Sequence, residues 1–203
     1  MGNAWRGCLT MGLKIAALGS VCSLAVWATV PQGWYMAGSK PSEYEAGVDR
    51  QITHDDHPSA YLRGRKPEID GFGTLMQDFR AEQYVGKRVR FNAFVKSEGV
   101  QGWAGLWMRV DKGSGPSPQV LAFDNMQNRP IKGTEDWKSY AVVLDVPEGA
   151  TGIFFGLMAH GAGSVWMSDL KVETVGPDVP TTAMSMATSA TRPDTPMNLR
   201  FEQ

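Results

Sequence analysis

Two stretches of this chain alternate strictly between apolar and polar residues, one after the other between Gly86 and Asp111. Alternation with a period of two is typical of half-buried antiparallel strands. The apolar parity predicts the core-facing residues, which are Val89, Phe91, Ala93 and Val95, then Ala104, Leu106, Met108 and Val110. The glycines between the two stretches predict a turn that joins two strands. The other face carries Trp103 and Trp107 among polar residues, which favours a binding surface.

Short apolar segments separated by turn residues continue along the chain. The pattern predicts ten strands, at 34–37, 44–51, 59–62, 73–79, 87–97, 103–111, 120–125, 137–144, 151–158 and 164–174, with one helical turn at 80–84. The chain holds 23 glycines and 7 tryptophans, which agrees with strands joined by tight turns. An all-β protein follows, either a two-sheet sandwich or a barrel.

The N-terminus carries the one long apolar run. Arg6 and Lys14 precede the uncharged residues 15–26, and Val26-Trp27-Ala28 offers small residues for cleavage, as in a secretory signal. Residues 1–30 are therefore expected to be a signal peptide, or else a membrane anchor, because 15–30 approaches the roughly 17 residues of a spanning helix. The predicted product is an exported bacterial domain, periplasmic or extracellular, that meets the membrane only through this segment. Both cysteines, Cys8 and Cys22, lie within it, so the exported domain would hold no disulfide.

Composition divides the remainder of the chain. Residues 31–175 form the predicted sandwich, and residues 176–195, rich in Pro, Thr, Ser, Ala and Met, predict a flexible linker. Residues 196–203 alternate again and predict a returning terminal strand. The net charge is −1 with no basic stripe, which argues against nucleic-acid binding.

Three segments of the predicted sandwich carry motifs of a known family. Residues 86–96 (GKRVRFNAFVK), 136–140 (DWKSY) and 165–173 (VWMSDLKVE) resemble the Gly-Lys strand, the W-x-x-Y strand and the closing strand of carbohydrate-binding modules in the galactose-binding-like group. The resemblance implies a jelly roll, that is, a two-sheet antiparallel β-sandwich, and a carbohydrate or related small polar ligand as partner. Proteins similar over this stretch are sometimes labelled transcriptional regulators, although the sequence offers no helix-turn-helix pattern.

The order of the motifs departs from that family in one respect. Its sandwiches open with a strand of the type Asn-Leu-x-Phe-Glu, which is missing before Trp34 and stands instead at residues 198–202. The chain is therefore expected to be either circularly permuted relative to the usual order or a fragment whose following domain was lost.

The candidate ligand site combines aromatic platforms with polar groups. Sugars stack their C–H faces on aromatic rings while polar side chains hold the hydroxyls. The predicted ligand-binding residues are Trp103, Trp107, Arg90, Arg109 and Asn92, with Asp124 and Asn125 at one end of the groove. The alternatives are that a loop or the tail covers this face, which makes the tryptophans a second core layer, and that Asp124 and Asn125 satisfy their own loop.

The sequence gives little support for a metal site or a catalytic site. His54 and His57 lie three residues apart in a predicted solvated turn, without the further ligands that zinc needs. The resemblance implies a structural calcium, for which Asp169 and Glu202 are the candidates, although Ser168 replaces the first Asp of the usual pair; no other cofactor is expected. No catalytic constellation is recognisable. The sequence thus predicts a non-catalytic binding module, and the alternatives are a membrane-tethered interaction domain and the ligand-sensing module of a regulatory protein.

Overall fold

The structure, a computed structural model, describes residues 30–115 and 117–184. Nine antiparallel strands run through these residues: β1 (Tyr35–Gly38), β2 (Tyr44–His54), β3 (His57–Gly64), β4 (Phe72–Arg80), β5 (Arg88–Lys112), β6 (Gln119–Asp124), β7 (Ile131–Asp145), β8 (Gly152–His160) and β9 (Ser164–Val175). Two single 3₁₀ turns, Pro41–Glu43 and Glu82–Tyr84, are the helical elements of the described residues. The predicted all-β class and the helical turn before Gly86 are confirmed.

The strands form two sheets that share β5. Sheet I has the order β2-β3-β9-β5-β7 and uses the first half of β5, where Phe91 pairs with Val142 on one side and Val172 on the other. Sheet II has the order β1-β4-β8-β5-β6 and uses the second half of β5, where Met108 lies opposite Phe155 and Asp124. The two-sheet antiparallel sandwich is therefore the architecture, and the barrel alternative is wrong.

The turn predicted inside residues 86–111 is wrong. Residues 99–102 remain part of the 25-residue strand β5, which bends from sheet I into sheet II while its pairing with β7 shifts register. Gly102 permits the crossing because a Cβ there would lie 2.2 Å from the carbonyl oxygen of His160. Ten predicted strands thus become nine, because the fifth and sixth are one.

The core lies between the two sheets and includes the alternating apolar residues of β5 that the sequence predicted to face inward. Val89, Phe91 and Ala93 are fully buried beneath sheet I, and Leu106 and Met108 are fully buried beneath sheet II. The core-facing residues of β5 have odd numbers up to Val95 and even numbers from Ala104 onward. The numbering changes because the pairing of β5 with β7 shifts register between these two residues. Every core residue predicted from the alternation is buried.

The predictions for the two ends of the chain fall mostly outside the described residues. The proposed signal or anchor and the returning strand at 196–203 are not described, so both stay predictions. Within the described residues no helix is long and apolar enough to cross a membrane. Residues 176–184, the start of the predicted linker, contact the sandwich: Arg88 donates to the carbonyls of Pro177 and Val179, and the Met184 N–H donates to Phe123 O.

Candidate functional site

The outer face of sheet II carries an aromatic cleft of about 490 Å³. Side chains of five neighbouring strands point out of this face, since alternate residues of a strand share one side. The pairing registers arrange them in rows across the sheet, such as Phe72–His160–Trp103 at one end and Asp78–Phe154–Arg109–Phe123 three rows further along. The cleft is lined by Tyr35, Ala37, Gly38, Phe72, Thr74, Met76, Trp107, Arg109, Phe123, Phe154 and Met158.

Trp107 forms the floor of the cleft. Its side chain packs with Met76 and Met158, and the residue is only 6% exposed. The indole Nε1 donates to Thr74 Oγ1 at 2.7 Å, and that hydroxyl donates in turn to the carbonyl of Leu157 at 2.9 Å. The buried polar atoms of the floor therefore already have hydrogen-bond partners, which fixes the orientation of the ring.

Aromatic edges and a few polar groups form the rim. The Arg109 guanidinium lies 5.0 Å from the centre of the Phe154 ring, within the range of a cation–π contact. Tyr35, 40% exposed on the edge strand β1, donates its hydroxyl to Asp78 at 2.7 Å. Partial burial and then the bond to Asp78 raise the pKa of Tyr35 to about 12, so the hydroxyl stays protonated at neutral pH.

At the far end of the same face, Trp103 is half-buried and lies parallel to the His160 ring, with centroids 6.4 Å apart. The structure thus brings three of the predicted site residues, Trp103, Trp107 and Arg109, onto one surface.

The other predicted site residues lie elsewhere. Arg90 and Asn92 are on the first half of β5 and point out of sheet I, on the opposite side of the sandwich, where Arg90 is paired with Glu173. Asp124, fully buried, accepts from Arg129 and from the Met126 N–H, and Asn125 accepts from the Gln127 N–H. Both side chains therefore accept hydrogen bonds from groups of their own loop, as the alternative interpretation held.

Sequence reasoning missed the residues that line most of the cleft. Tyr35, Phe72, Phe123 and Phe154 come from four strands that β5 alone could not reveal. A signal for Phe154 was present, because Phe154 and Phe155 are neighbours on a strand and must face opposite sides. Phe155 is buried in the core and Phe154 points into the cleft.

A second polar cluster joins the β2–β3 turn to β9. Each oxygen of the Asp169 carboxylate meets a different imidazole: His54 Nδ1 lies 2.6 Å from Oδ2 and His57 Nδ1 lies 2.5 Å from Oδ1. The bond to His54, and then that to His57, hold the pKa of Asp169 below its ordinary value against the opposing effect of burial. The ring of His54 also stacks on Phe94, with centroids 3.9 Å apart.

The turn geometry explains why the histidines meet. Asp55 and Asp56 both have positive φ, 45° and 64°, so the chain reverses in two residues and His54 pairs with His57 across the hairpin. The prediction of a solvated turn without a function therefore missed a contact to Asp169, more than a hundred positions further along the chain.

The residues around Asp169 do not fit a calcium ion. Calcium takes six to eight oxygen ligands, whereas imidazole nitrogens occupy both sides of this carboxylate. No group of three or more His, Cys, Asp or Glu in the described ranges is arranged to hold a metal ion. Glu202, the second calcium candidate, lies outside the described residues.

No protein-family model matches the chain. A curated relative is the uncharacterized HTH-type transcriptional regulator YbfP of Bacillus subtilis strain 168, which is 45% identical over 173 residues, 85% of this chain. The chain spans 57% of the length of that relative.

Solved structures share the fold at low sequence identity. A family 30 carbohydrate-binding module is matched with a TM-score of 0.50 and 17% identity over 70% of this chain and 92% of its own. The CBM22-1–GH10 modules of Clostridium thermocellum xylanase 10B, complexed with xylohexaose, give 0.51 and 12% identity over 71% of this chain and 26% of their own. The enzymatically active domain of tailspike protein 4 of bacteriophage CBA120 gives 0.55 and 13% identity over 71% and 20%. The chain therefore has the antiparallel β-sandwich fold of carbohydrate-binding modules.

Proposed function

We propose that this domain is a non-catalytic binding module that holds a carbohydrate in the cleft of sheet II. The main support for the proposal is the cleft itself, in which aromatic side chains from several strands surround a floor of Trp107 and two methionines. An aromatic rim with few polar groups suits the apolar C–H face of a pyranose ring, while Arg109 and the Tyr35 hydroxyl supply hydrogen bonds at its edge. The shared fold of carbohydrate-binding modules supports the same assignment.

The dimensions of the cleft favour a chain of sugars over a single one. The cleft extends over three row spacings along the strands, from Phe72 to Phe154. At about 3.4 Å per residue and two residues per row, this is about 20 Å. An oligosaccharide lying along the strands would contact every row.

Two tryptophans on opposite sides of the sandwich provide the test. Trp103→Ala removes a half-buried ring that packs against the Trp107 cluster beside the Phe72 end of the cleft. Trp137→Ala removes a half-buried ring on β7 of sheet I that contacts His54. Titration of the full chain with a panel of neutral oligosaccharides, xylohexaose among them, is followed by tryptophan fluorescence and calorimetry. We expect Trp103→Ala to weaken binding at least tenfold and Trp137→Ala to leave it unchanged. Equal losses in both variants, or binding to no member of the panel, would overturn the proposal.

The relationship to the B. subtilis protein favours a second function. A chain that is 45% identical to part of an HTH-type regulator could serve as the ligand-sensing module of such a protein, with the same cleft as the sensor. The apolar N-terminal run argues instead for export, with a mature N-terminus near Thr29. N-terminal sequencing of the protein from separated cell fractions distinguishes the two, because a cytoplasmic sensor keeps the segment 1–28 and an exported module loses it. A third alternative, a tethered interaction domain, predicts that no glycan changes the tryptophan fluorescence.

A further inference from the structure

The first residues of the predicted linker, 176–184, run from the end of β9 past the outer edge of β7 to the outer edge of β6. We propose that they form a strap that positions Phe123, the residue of β6 that lines the cleft, for the ligand. The inference rests on the proposed function where it concerns the ligand, and it assigns Thr182 of the strap as a positioning residue.

The strand β6 is a short wall of the cleft with one neighbouring strand. It has six residues, pairs with β5 alone among the described strands, and shifts register with β5 between Val110 and Asp111. The walls supplied by β4 and β8 each have a strand on both sides. The position of Phe123 therefore depends on what holds the outer side of β6.

The strap begins at a fixed point on β5. Arg88 Nη1 donates to the carbonyls of Pro177 and Val179, at 3.0 and 2.6 Å. Its Nε and Nη2 donate to the two carboxylate oxygens of Asp145 on β7, at 2.7 and 3.0 Å. One guanidinium thus holds the start of the strap and the end of β7 together, which sets the path of the strap toward β7.

Thr182 fastens the strap to β7 by two hydrogen bonds. Its N–H donates to the Val143 carbonyl at 2.9 Å, and its Oγ1 accepts from the Val143 N–H at 2.8 Å. Val143 is 3% exposed, so without the hydroxyl its N–H would be a buried donor that lacks a partner, which is costly. One threonine thus satisfies both outward backbone groups of Val143 and covers this part of the sheet edge.

Two residues further on, the strap reaches the other sheet. The Met184 N–H donates to the Phe123 carbonyl at 2.9 Å. On its other side Phe123 lies opposite Arg109 of β5, and its side chain packs against the floor of the cleft. The backbone of Phe123 is therefore held from both sides. Because a single residue separates Thr182 from Met184, fixing the first on β7 places the second at β6.

The strap and a ligand in the cleft therefore act on the same strand. A sugar that stacks on the Phe123 ring restrains β6 from the cleft, and the strap restrains it from the edge. A wall that is already held in place loses less freedom when the ligand binds, which favours affinity. By linkage, a ligand must tighten the strap by the same factor by which the strap strengthens ligand binding.

Two adjacent threonines provide a matched pair of variants. Thr182→Val keeps the shape of the side chain and the backbone N–H, but it removes the acceptor for the Val143 N–H. Thr181→Val makes the same change at an exposed residue of the strap and is the control. Thr182→Ser keeps a hydroxyl at the critical position and serves as the rescue variant.

Hydrogen exchange and calorimetry on the full chain provide the readouts. The amide of Met184 reports on the strap, and the amides of Ala122 and Asp124, on either side of Phe123, report on β6. The amide of buried Leu62 on β3, two strands away from β5 in sheet I, reports on general stability. The affinity is measured by titration with xylohexaose and other neutral oligosaccharides.

We expect Thr182→Val to accelerate exchange at the strap and β6 amides, to leave the Leu62 amide unchanged, and to lower the affinity about fivefold or more. Thr182→Ser should restore both the slow exchange and the affinity, and Thr181→Val should behave as the natural chain. In the natural chain, a bound oligosaccharide should slow exchange at the Met184 amide.

Three results would count differently. If Thr182→Val accelerates exchange at Met184 while the β6 amides and the affinity stay unchanged, the strap merely covers the sheet edges and the proposal is wrong. Faster exchange everywhere, Leu62 included, would show general destabilisation and would equally overturn the positioning role. If no oligosaccharide binds the natural chain, the proposed carbohydrate function fails, and exchange at Ala122 and Asp124 decides by itself whether the strap holds β6 in place.

Discussion

At the scale of single residues, Trp107 shows how one side chain can be both core and binding surface. It points away from the main core, yet it is nearly as buried as the residues between the sheets, because Met76, Met158 and the surrounding rings enclose it. Its indole bond to Thr74 ties β5 to β4 across the intervening strand β8.

We predict that Trp107→Ala lowers the free energy of unfolding by about 3–5 kcal/mol, the range for truncation of a buried aromatic residue. Trp107→Phe should cost less, because it keeps most of the apolar volume while it leaves the Thr74 hydroxyl without its donor. Urea unfolding of the two variants against the natural chain measures both losses. An alanine variant as stable as the natural chain would show that the ring is a dispensable surface platform.

The Asp169 carboxylate permits a prediction about pH. Its pKa lies below the ordinary value of 3.8 in the folded chain, so its contacts with His54 and His57 stabilise the fold above that pH and lose this effect as the pH falls through the lowered folded pKa. Asp169→Asn is a clean substitution, because asparagine tolerates the residue's φ of 51°. The natural chain should exceed this variant in unfolding free energy at about pH 5, and the difference should shrink toward about pH 2.5. A difference that stays constant over this range would contradict the proposed ionic contribution.

At the scale of elements, β5 organises the molecule because it is a member of both sheets. It lies second from an edge in each sheet and therefore has two neighbours along most of its length, β7 and β9 in sheet I and β6 and β8 in sheet II. The bend between the halves is therefore more consequential for the fold than a surface turn of the same length.

We predict that Gly102→Ala is strongly destabilising, because its Cβ would meet the backbone oxygen of His160 at 2.2 Å and neither backbone can yield without breaking sheet II. Gly99→Ala is the matched control: it lies in the same bend with φ of 59° but with nothing within 4 Å of the new Cβ. Its cost should be that of the left-handed backbone alone, about 1–2 kcal/mol. Chemical denaturation of the pair decides the matter, and equal losses would show that crowding at His160 does not control the crossing.

In the whole molecule, the buried face of each half of β5 was predictable from the sequence, whereas the contacts between distant elements were not. Alternation identified the buried residues of β5 because side-chain direction depends only on local parity. It could not show that Arg90 and Arg109 lie on opposite sides of the sandwich, since that depends on a strand crossing between sheets. Nor could it show the contact of His54 with Asp169, which tertiary packing alone brings together. The residues of the cleft come from five strands and meet only when the sheet is assembled.

We expect the C-terminal residues 196–203 to pair as a strand beside β1. Among the residues that the structure describes, β1 is the edge strand of sheet II and pairs only with β4, so its outer side suits the addition of a strand. The described chain ends with Met184 bonded to β6, at the opposite edge of that sheet. Four strand spacings of about 4.8 Å separate the two edges, about 19 Å. The eleven residues 185–195 span about 17–20 Å as a coil and about 36 Å fully extended, so they can reach β1 around the end of the sheet without crossing the cleft.

Deletion of residues 196–203 should therefore lower the melting temperature. Burial of Leu199 and Phe201 would contribute about 1.5–3 kcal/mol each, partly offset by the entropy of closing the loop. Calorimetry compares the truncated chain with the full one, and a Leu199→Ser, Phe201→Ser variant separates burial of the two side chains from the mere presence of the tail. Hydrogen exchange at amides 198–202 provides an independent readout, because pairing with β1 slows it. An unchanged melting temperature together with rapid exchange would show that the tail does not complete the sandwich and that the chain is not permuted.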